Sequence, residues 1–444
     1  MDSTARWARG SAGSQESAIL TKLVAVTVLF ALGVGGFAGY SEWKFREHGE
    51  TLAAEIATYK LQHWERPALR GTAGDGNAAF DEVQALAGFS GLTPQQRETL
   101  ALHVHYNEPL AAESLALLEQ HEALVDKLRA ATLLSRAMTE TPFAAGEAST
   151  VPSYPRVVDA ALLLLARGAL AGPDECLLAC ADSVRLGQDL VPGASIEAAS
   201  VAARIASITS PLLTRCASLA SHEALSRAAR EFHLLALNPA PTFGSIELAD
   251  LQAKQRLMQL STLFGGSENE TVLARLRRRP ALFAALEYFA RPTRWRELSP
   301  ASYPQALQSW LREHEWRSRA ELALVPESTA DVDGWLLDDM RGQALVRAMA
   351  VGLATVTERA RRKRLPKEPV SLLEPKLFDP YNGLPLKWRV AQDGSELSLW
   401  SVGEDLRDDK GSSDWTPQAP VDVVVHFRLR PLEDGDATKR AAKR

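Results

Sequence analysis

Cysteine is scarce here: three residues in 444, too few for a disulfide framework. The familiar catalytic signatures are missing too. No Walker-type phosphate loop, no GxGxxG and no GxSxG is present. HExxH is absent, because His121-Glu122 and His222-Glu223 each lack a second histidine four residues on. Positive charge is not in excess: the net charge is −5 and the pI about 6.1, which argues against a general nucleic-acid binder. With 46% hydrophobic and 24% charged residues, the chain is neither disordered nor collagen-like. Its length leaves room for several domains or one elongated one, with a sizeable core.

Charge is also missing from one local stretch. Leu23 to Ser41 is a run of 19 residues without a charged side chain. As a helix it reaches across the hydrocarbon core of a bilayer. Lys22 at its start can snorkel, and Tyr40 and Trp43 suit the headgroup layer at its end. A cleaved signal peptide is the competing reading, since Gly36 and Ala38 form a small-x-small pattern. The run exceeds the usual apolar region of such signals, so an uncleaved anchor is expected. No cysteine follows to take a lipid. Arg6, Arg9 and Lys22 precede the run, against Lys44 and Arg46 after it, which tilts the amino terminus inward. The large carboxy-terminal body would then face the periplasm from a bacterial inner membrane. Ala31, Gly35 and Gly39 form a small-xxx-small stripe through which two such helices can dimerise.

Beyond the anchor the periodicity is helical. Residues 42–64 read as a helical stalk with a flaw at Gly49. Arg66 to Gly76 is a loop, and Asn77 caps a helix starting at Ala78. Thr93-Pro94-Gln95-Gln96 is a helix start with a capping box. A long helix is expected from Asn107-Glu108-Pro109 to about Thr139. Three prolines in 141–155 mark a boundary. Val157–Ala171 and Glu175–Val191 then form a hairpin about Gly172-Pro173-Asp174. Further helices are expected near 194–219, 221–237, 245–264 and 331–364.

The character changes after Pro366, with five prolines within twenty residues. Leu386–Val390 and Glu396–Val402 alternate around Asp393-Gly394, a strong hairpin signal. Val421 to Leu429 alternates as well, predicting a third strand. The block Arg341–Gly411 joins a small-residue helix, LPKEPVSLLEP, FDPYNGLPLKWRV, a DG turn and LSLWSVGEDLRDDKG. It resembles the carboxy-terminal module of uncharacterised membrane-anchored bacterial proteins, and its layout is similar to the hairpin and loop of type II secretion major pseudopilins. ERPALRG…GNAAF (Glu65–Phe80) resembles the amino-terminal part of the same uncharacterised proteins. The pilin cleavage signature is absent, so assembly into a fibre is not implied. In pseudopilins the acidic loop after the second strand holds calcium. The resemblance therefore implies calcium at Glu404, Asp405, Asp408, Asp409 and Asp414. Calcium wants six to eight oxygens on a flexible loop. The alternative is a solvated acidic turn whose aspartates cap their own backbone.

Other groups point to no reaction. His103 and His105 diverge on a helix and read as an ordinary exposed pair. Cys176 and Cys180 share a helix face; small buried thiols are expected, with a bridge to Cys216 as the alternative outside the cytoplasm. Arg359–Arg364 reads as a basic helix terminus facing its own macrodipole. Arg275–Arg319 holds ten Arg against four Glu, and Trp295, Trp310, Trp316 and Trp335 lie in or near it, as in partner surfaces or in cores with snorkelling rims.

The expectation is a mainly α protein. A tail (1–22), a single transmembrane helix (23–41), a stalk with a first helical part (42–140) and a helical body (156–364) come first. A small antiparallel β module (365–431) and a flexible tail (432–444) close the chain. No catalytic residue, organic cofactor or nucleic-acid partner is indicated; the lipid bilayer and an envelope protein are the expected partners. The expected role is scaffolding or partner binding. The alternatives are an envelope hydrolase using paired carboxylates and a secretion-apparatus relative with a calcium loop.

Overall fold

A computed structural model describes residues 7–58, 64–66, 69–70, 74–137, 153–192, 197–240, 251, 309, 332–412 and 422–430. It is mainly helical, with a small antiparallel three-stranded sheet near the carboxy terminus. The chain divides into two compact units, 1–59 with 251–288, and 60–250 with 289–444.

In the first unit, α1 (Trp7–Thr58) is one helix of 52 residues. Gly49 does not interrupt it, because one glycine lowers helix propensity by only ~1 kcal/mol. Among the described residues no helix is long and apolar enough to cross a membrane. The side chains of Phe30, Ala31 and Val34, three apolar members of the uncharged run, are not among those residues. Gly35 and Gly39 face open space.

The second unit opens with a sheet that the sequence did not announce. Its strands are β1 (Trp64–Glu65), β2 (Gly74–Asn77) and β3 (Leu134–Ala137), in the order β1-β3-β2. β3 pairs antiparallel with β1 and parallel with β2. The expected single helix to Thr139 is therefore corrected. It splits at His121 into α4 (Ala112–Gln120) and α5 (Glu122–Ala131), and its end becomes β3. Short apolar runs serve either state, and long-range pairing decides between them. The supposed loop 66–76 likewise supplies β2.

Elsewhere the helix signals hold. α2 (Ala78–Ala87) follows Asn77, whose side chain makes no capping bond. α3 (Pro94–Tyr106) carries the full capping box: Thr93 Oγ accepts from Gln96 N at 3.2 Å, and Gln96 Oε1 accepts from Thr93 N at 2.9 Å. α6 (Tyr154–Ala171) and α7 (Pro173–Asp189) form the expected hairpin. Gly172 turns it with φ 111°, a conformation suited to glycine. Gly168 lets the two helices touch, since a Cβ there would lie 2.3 Å from that of Ala179. α8 (Glu197–Ala217) and α9 (His222–Leu237) follow, the latter capped by Ser221. The helix expected at 245–264 lies outside the described residues, apart from Leu251.

α10 (Val332–Arg362) packs against α8 and α9 and carries the second sheet. That sheet is β4 (Lys387–Val390), β5 (Glu396–Ser401) and β6 (Val423–Arg428), antiparallel in this order. The Asp393-Gly394 turn joins β4 to β5, with Gly394 at φ 69°. Leu397, Leu399, Val425 and Phe427 are buried in the main core. Phe427 sits so close to Gly352 that a Cβ there would lie 1.9 Å from its ring.

Candidate functional site

Two places gather polar chemistry: the inner faces of α7, and the loops around the second sheet. α7 runs through the core, and its buried residues include Asp182, Arg185 and Asp189. The spacing three and four stacks these three charges on one helix face. Asp182 accepts from Arg70 at 3.2 Å, from Arg129 Nε at 3.2 Å and from Thr132 Oγ1 at 3.1 Å. Arg70 also lies 3.7 Å from buried Glu231 of α9. Asp189 pairs with Arg66, which donates as well to Leu134 O at 2.7 Å and Ala131 O at 2.9 Å. Arg185 stacks 5.6 Å from the Trp64 ring. Burial lowers its pKa to about 10. Of the two arginines of ERPALRG, Arg66 ties α7 to β3 and Arg70 ties it to α9.

Glu82 of α2 is fully buried within the same network. Neither of its oxygens meets a donor, and Asp189 Oδ2 is also unmet. Burial first, then the Asp189 charge, holds the Glu82 proton well above the usual carboxylate range; Arg66 and Arg185 pull the other way. A neutral Glu82 can supply the proton that Asp189 Oδ2 lacks. This is a buried carboxyl pair with arginines around it.

At the second sheet, Asp379 explains the DP-x-x-G turn. Its buried carboxylate accepts from Tyr381 N at 2.9 Å, Ser401 Oγ at 2.7 Å and Val402 N at 2.9 Å. One aspartate therefore pins the turn before β4 to the end of β5. Tyr381 closes the joint by donating to Leu337 O at 3.1 Å.

The acidic residues of the loop after β5 are separated by their partners. Burial raises the pKa of Glu404; the Arg341 charge opposes this, and those of Asp338 and Asp405 add to it. Asp405 accepts from Arg407 N at 3.0 Å in a local turn. Asp408 accepts from Trp400 Nε1 at 3.0 Å and Lys410 N at 3.1 Å. Asp409 is exposed, and Asp414 lies outside the described residues. Among the described residues no group of three or more His, Cys, Asp or Glu stands ready to hold a metal. Asp422, just before β6, is the acid the sequence did not single out. It is buried, accepts from Gly411 N at 2.7 Å, and leaves Oδ1 without a partner. Burial raises its pKa; the Gly411 and Asp409 backbone amides pull it down, and the Asp409 and Asp408 charges push it up. Its signal was an aspartate heading an alternating apolar strand.

Three further expectations change. Cys176 and Cys216 form a disulfide between α7 and α8, with Cα atoms 6.4 Å apart. The preference for buried thiols holds for Cys180 alone, whose thiol burial pushes up beyond the usual range. His103 is not exposed: it is buried, with Nδ1 2.7 Å from Glu108 O. Arg359 of the basic run is also buried, while Arg361 and Arg362 pair with Glu358. Arg277–Arg279, Trp295, Trp310 and Trp316 lie outside the described residues, as does the side chain of Trp335. No protein-family model, curated protein or solved structure matches the chain.

Proposed function

We propose that this is a single-pass anchored protein of the bacterial cell envelope, serving as a scaffold or partner-binding body. In this reading Leu23–Ser41 crosses the inner membrane and the helical body lies on its oxidising, periplasmic side. The observation that carries it is the surface of α1. Leu23, Val24, Val26 and Leu29 step round all four quarters of the helix at ~100° per residue, and all are exposed. Leu29 is 68% and Leu32 67% exposed. A helix of a water-soluble protein hides one stripe; one that is apolar on every side belongs in lipid or in a core. The Cys176–Cys216 disulfide supports the same side of the membrane, because such bonds persist outside the reducing cytoplasm. Self-association through Ala31, Gly35 and Gly39 belongs to this proposal. The arginines around Asp182 and Asp189 favour a binding body over a carboxylate hydrolase.

The test is fractionation of cells followed by alkaline carbonate extraction and protease treatment of spheroplasts. The chain should stay in the carbonate-resistant pellet, and external protease should remove the body. Release of the intact chain into the soluble fraction refutes the anchor; protection of the body refutes the orientation.

A second reading, the calcium loop of a secretion-apparatus relative, is favoured by one observation. Asp422 offers a buried carboxylate whose Oδ1 has no hydrogen-bond partner among the described residues, close enough to Asp408 and Asp409 to feel their charge. Calcium bound there would supply counter-charge to this loop. Millimolar calcium should then raise the melting temperature of the full chain, and Asp422→Asn should abolish the shift. An unchanged melting curve ends this reading.

A further inference from the structure

β4 is one of the two outer strands of its sheet; Phe378 bridges Pro385 just before it, and along Lys387–Val390 no strand but β5 pairs with it among the described residues. Ala391 N donates to Glu396 O at 2.9 Å, so Ala391 belongs to a hydrogen-bonded pair with β5. Alternate residues of an antiparallel strand share that orientation. Lys387 and Arg389 therefore turn their backbone groups toward β5, and Trp388 and Val390 turn theirs outward. No described residue meets these outward N–H and C=O groups. An open edge of this kind is a template for another strand.

The side chains say which strand would fit. Trp388 and Val390 share the face of buried Leu397 and Leu399 and pack against the core. Lys387 and Arg389 stand exposed on the opposite face. Arg389 has no ion pair among the described residues, and Lys387 has only Asp408 at 3.9 Å. A groove of about 620 Å³ opens at the start of the strand, where Phe378, Leu384 and Trp388 meet Lys376 and Lys387, with Glu368 and Asp408 also on its wall. Phe378 is 45% and Leu384 56% exposed.

We propose that this edge takes up an extended segment of another polypeptide, one that alternates apolar and acidic residues, as a fourth strand. The inference rests on the partner-binding reading above and names its surface. The apolar side chains of the guest continue the layer of Trp388 and Val390 toward Phe378 and Leu384. Its acidic side chains fall beside Lys387 and Arg389, on the other face. A second copy of β4 is a poor guest, because it would bring Lys and Arg against Lys and Arg.

The probe is a fluorescent decapeptide alternating valine and glutamate, with the valine–lysine decapeptide as control. Binding to the full chain in detergent micelles is read by anisotropy. The acidic peptide should bind about tenfold more tightly than the basic one. Lys387→Glu with Arg389→Glu should invert that preference without touching the backbone. Val390→Pro removes one outward N–H and should weaken both peptides; if that variant misfolds, the charge reversal carries the test. The proposal is overturned if neither peptide binds at millimolar concentration, or if the charge reversal leaves the preference intact. It is also overturned if the chain self-associates and the acidic peptide abolishes the association, since a second copy then owns the edge. A chain that binds the peptide yet leaves the membrane sinks the anchor alone; an anchored chain blind to the peptide sinks this inference alone.

Discussion

α1 and α7 are opposites. α1 turns leucine and valine outward on every side through its uncharged run. α7 turns aspartate and arginine inward, into a core where Asp182, Arg185 and Asp189 have lost their water. Each pattern is costly in the wrong surroundings. Exposed apolar surface on this scale calls for a lipid or protein covering. Buried charge calls for partners, and α7 finds them in Arg66, Arg70 and Arg129. Burial of the α7 charges thus follows from the partners they meet and not from hydropathy along the chain.

The contrast can be broken first on the α7 side. Asp189→Ala leaves Arg66 without its carboxylate partner and should lower the unfolding free energy by ~3–5 kcal/mol, read from the urea midpoint of the full chain. A loss below ~1 kcal/mol would mean that the pair is solvated, as exposed pairs are. On the α1 side, Leu29→Arg places a cation mid-run at a cost of ~2.5–3.5 kcal/mol in a bilayer. The carbonate-resistant fraction should fall while the urea midpoint of the body stays put. An unaltered fraction would show that Leu29 does not lie in the hydrocarbon core.

Glu82 sharpens the comparison with a smaller, pH-dependent effect. Its folded pKa stands above the ordinary value of 4.5, so the folded protein keeps a proton that the unfolded chain releases. That contribution is complete below the ordinary value and is lost as pH rises through the folded one. Wild-type stability should therefore decline with rising pH above about 4.5 relative to Glu82→Gln. Parallel pH profiles for the two proteins would show that Glu82 is ionised in the fold.

Much of the architecture was legible because its signals are local. The Thr93 capping box, the Gly172-Pro173 turn and the Asp393-Gly394 hairpin depend on neighbours within a few residues, and each appears where expected. The first sheet was not legible. β2 is Gly74–Asn77 and β3 is Leu134–Ala137, and neither stretch alternates strongly enough to declare itself. Asp182, Arg185 and Asp189 have the spacing of any helix face; their burial follows from Arg66, Arg70 and Arg129 arriving from distant sequence. The role of Asp422 was not legible for the same reason, since the Gly411 amide that holds it comes from another loop.

Local chemistry fixed the uncharged run of α1, the helical body, the turns and the alternating strands, because propensity, capping and periodicity act between near neighbours. Tertiary structure alone decided that Cys176 bonds Cys216, that Glu82 meets Asp189, and that β4 pairs with β5 alone among the described strands. Those facts depend on which distant groups meet once water is expelled, and no spacing along the chain encodes that meeting.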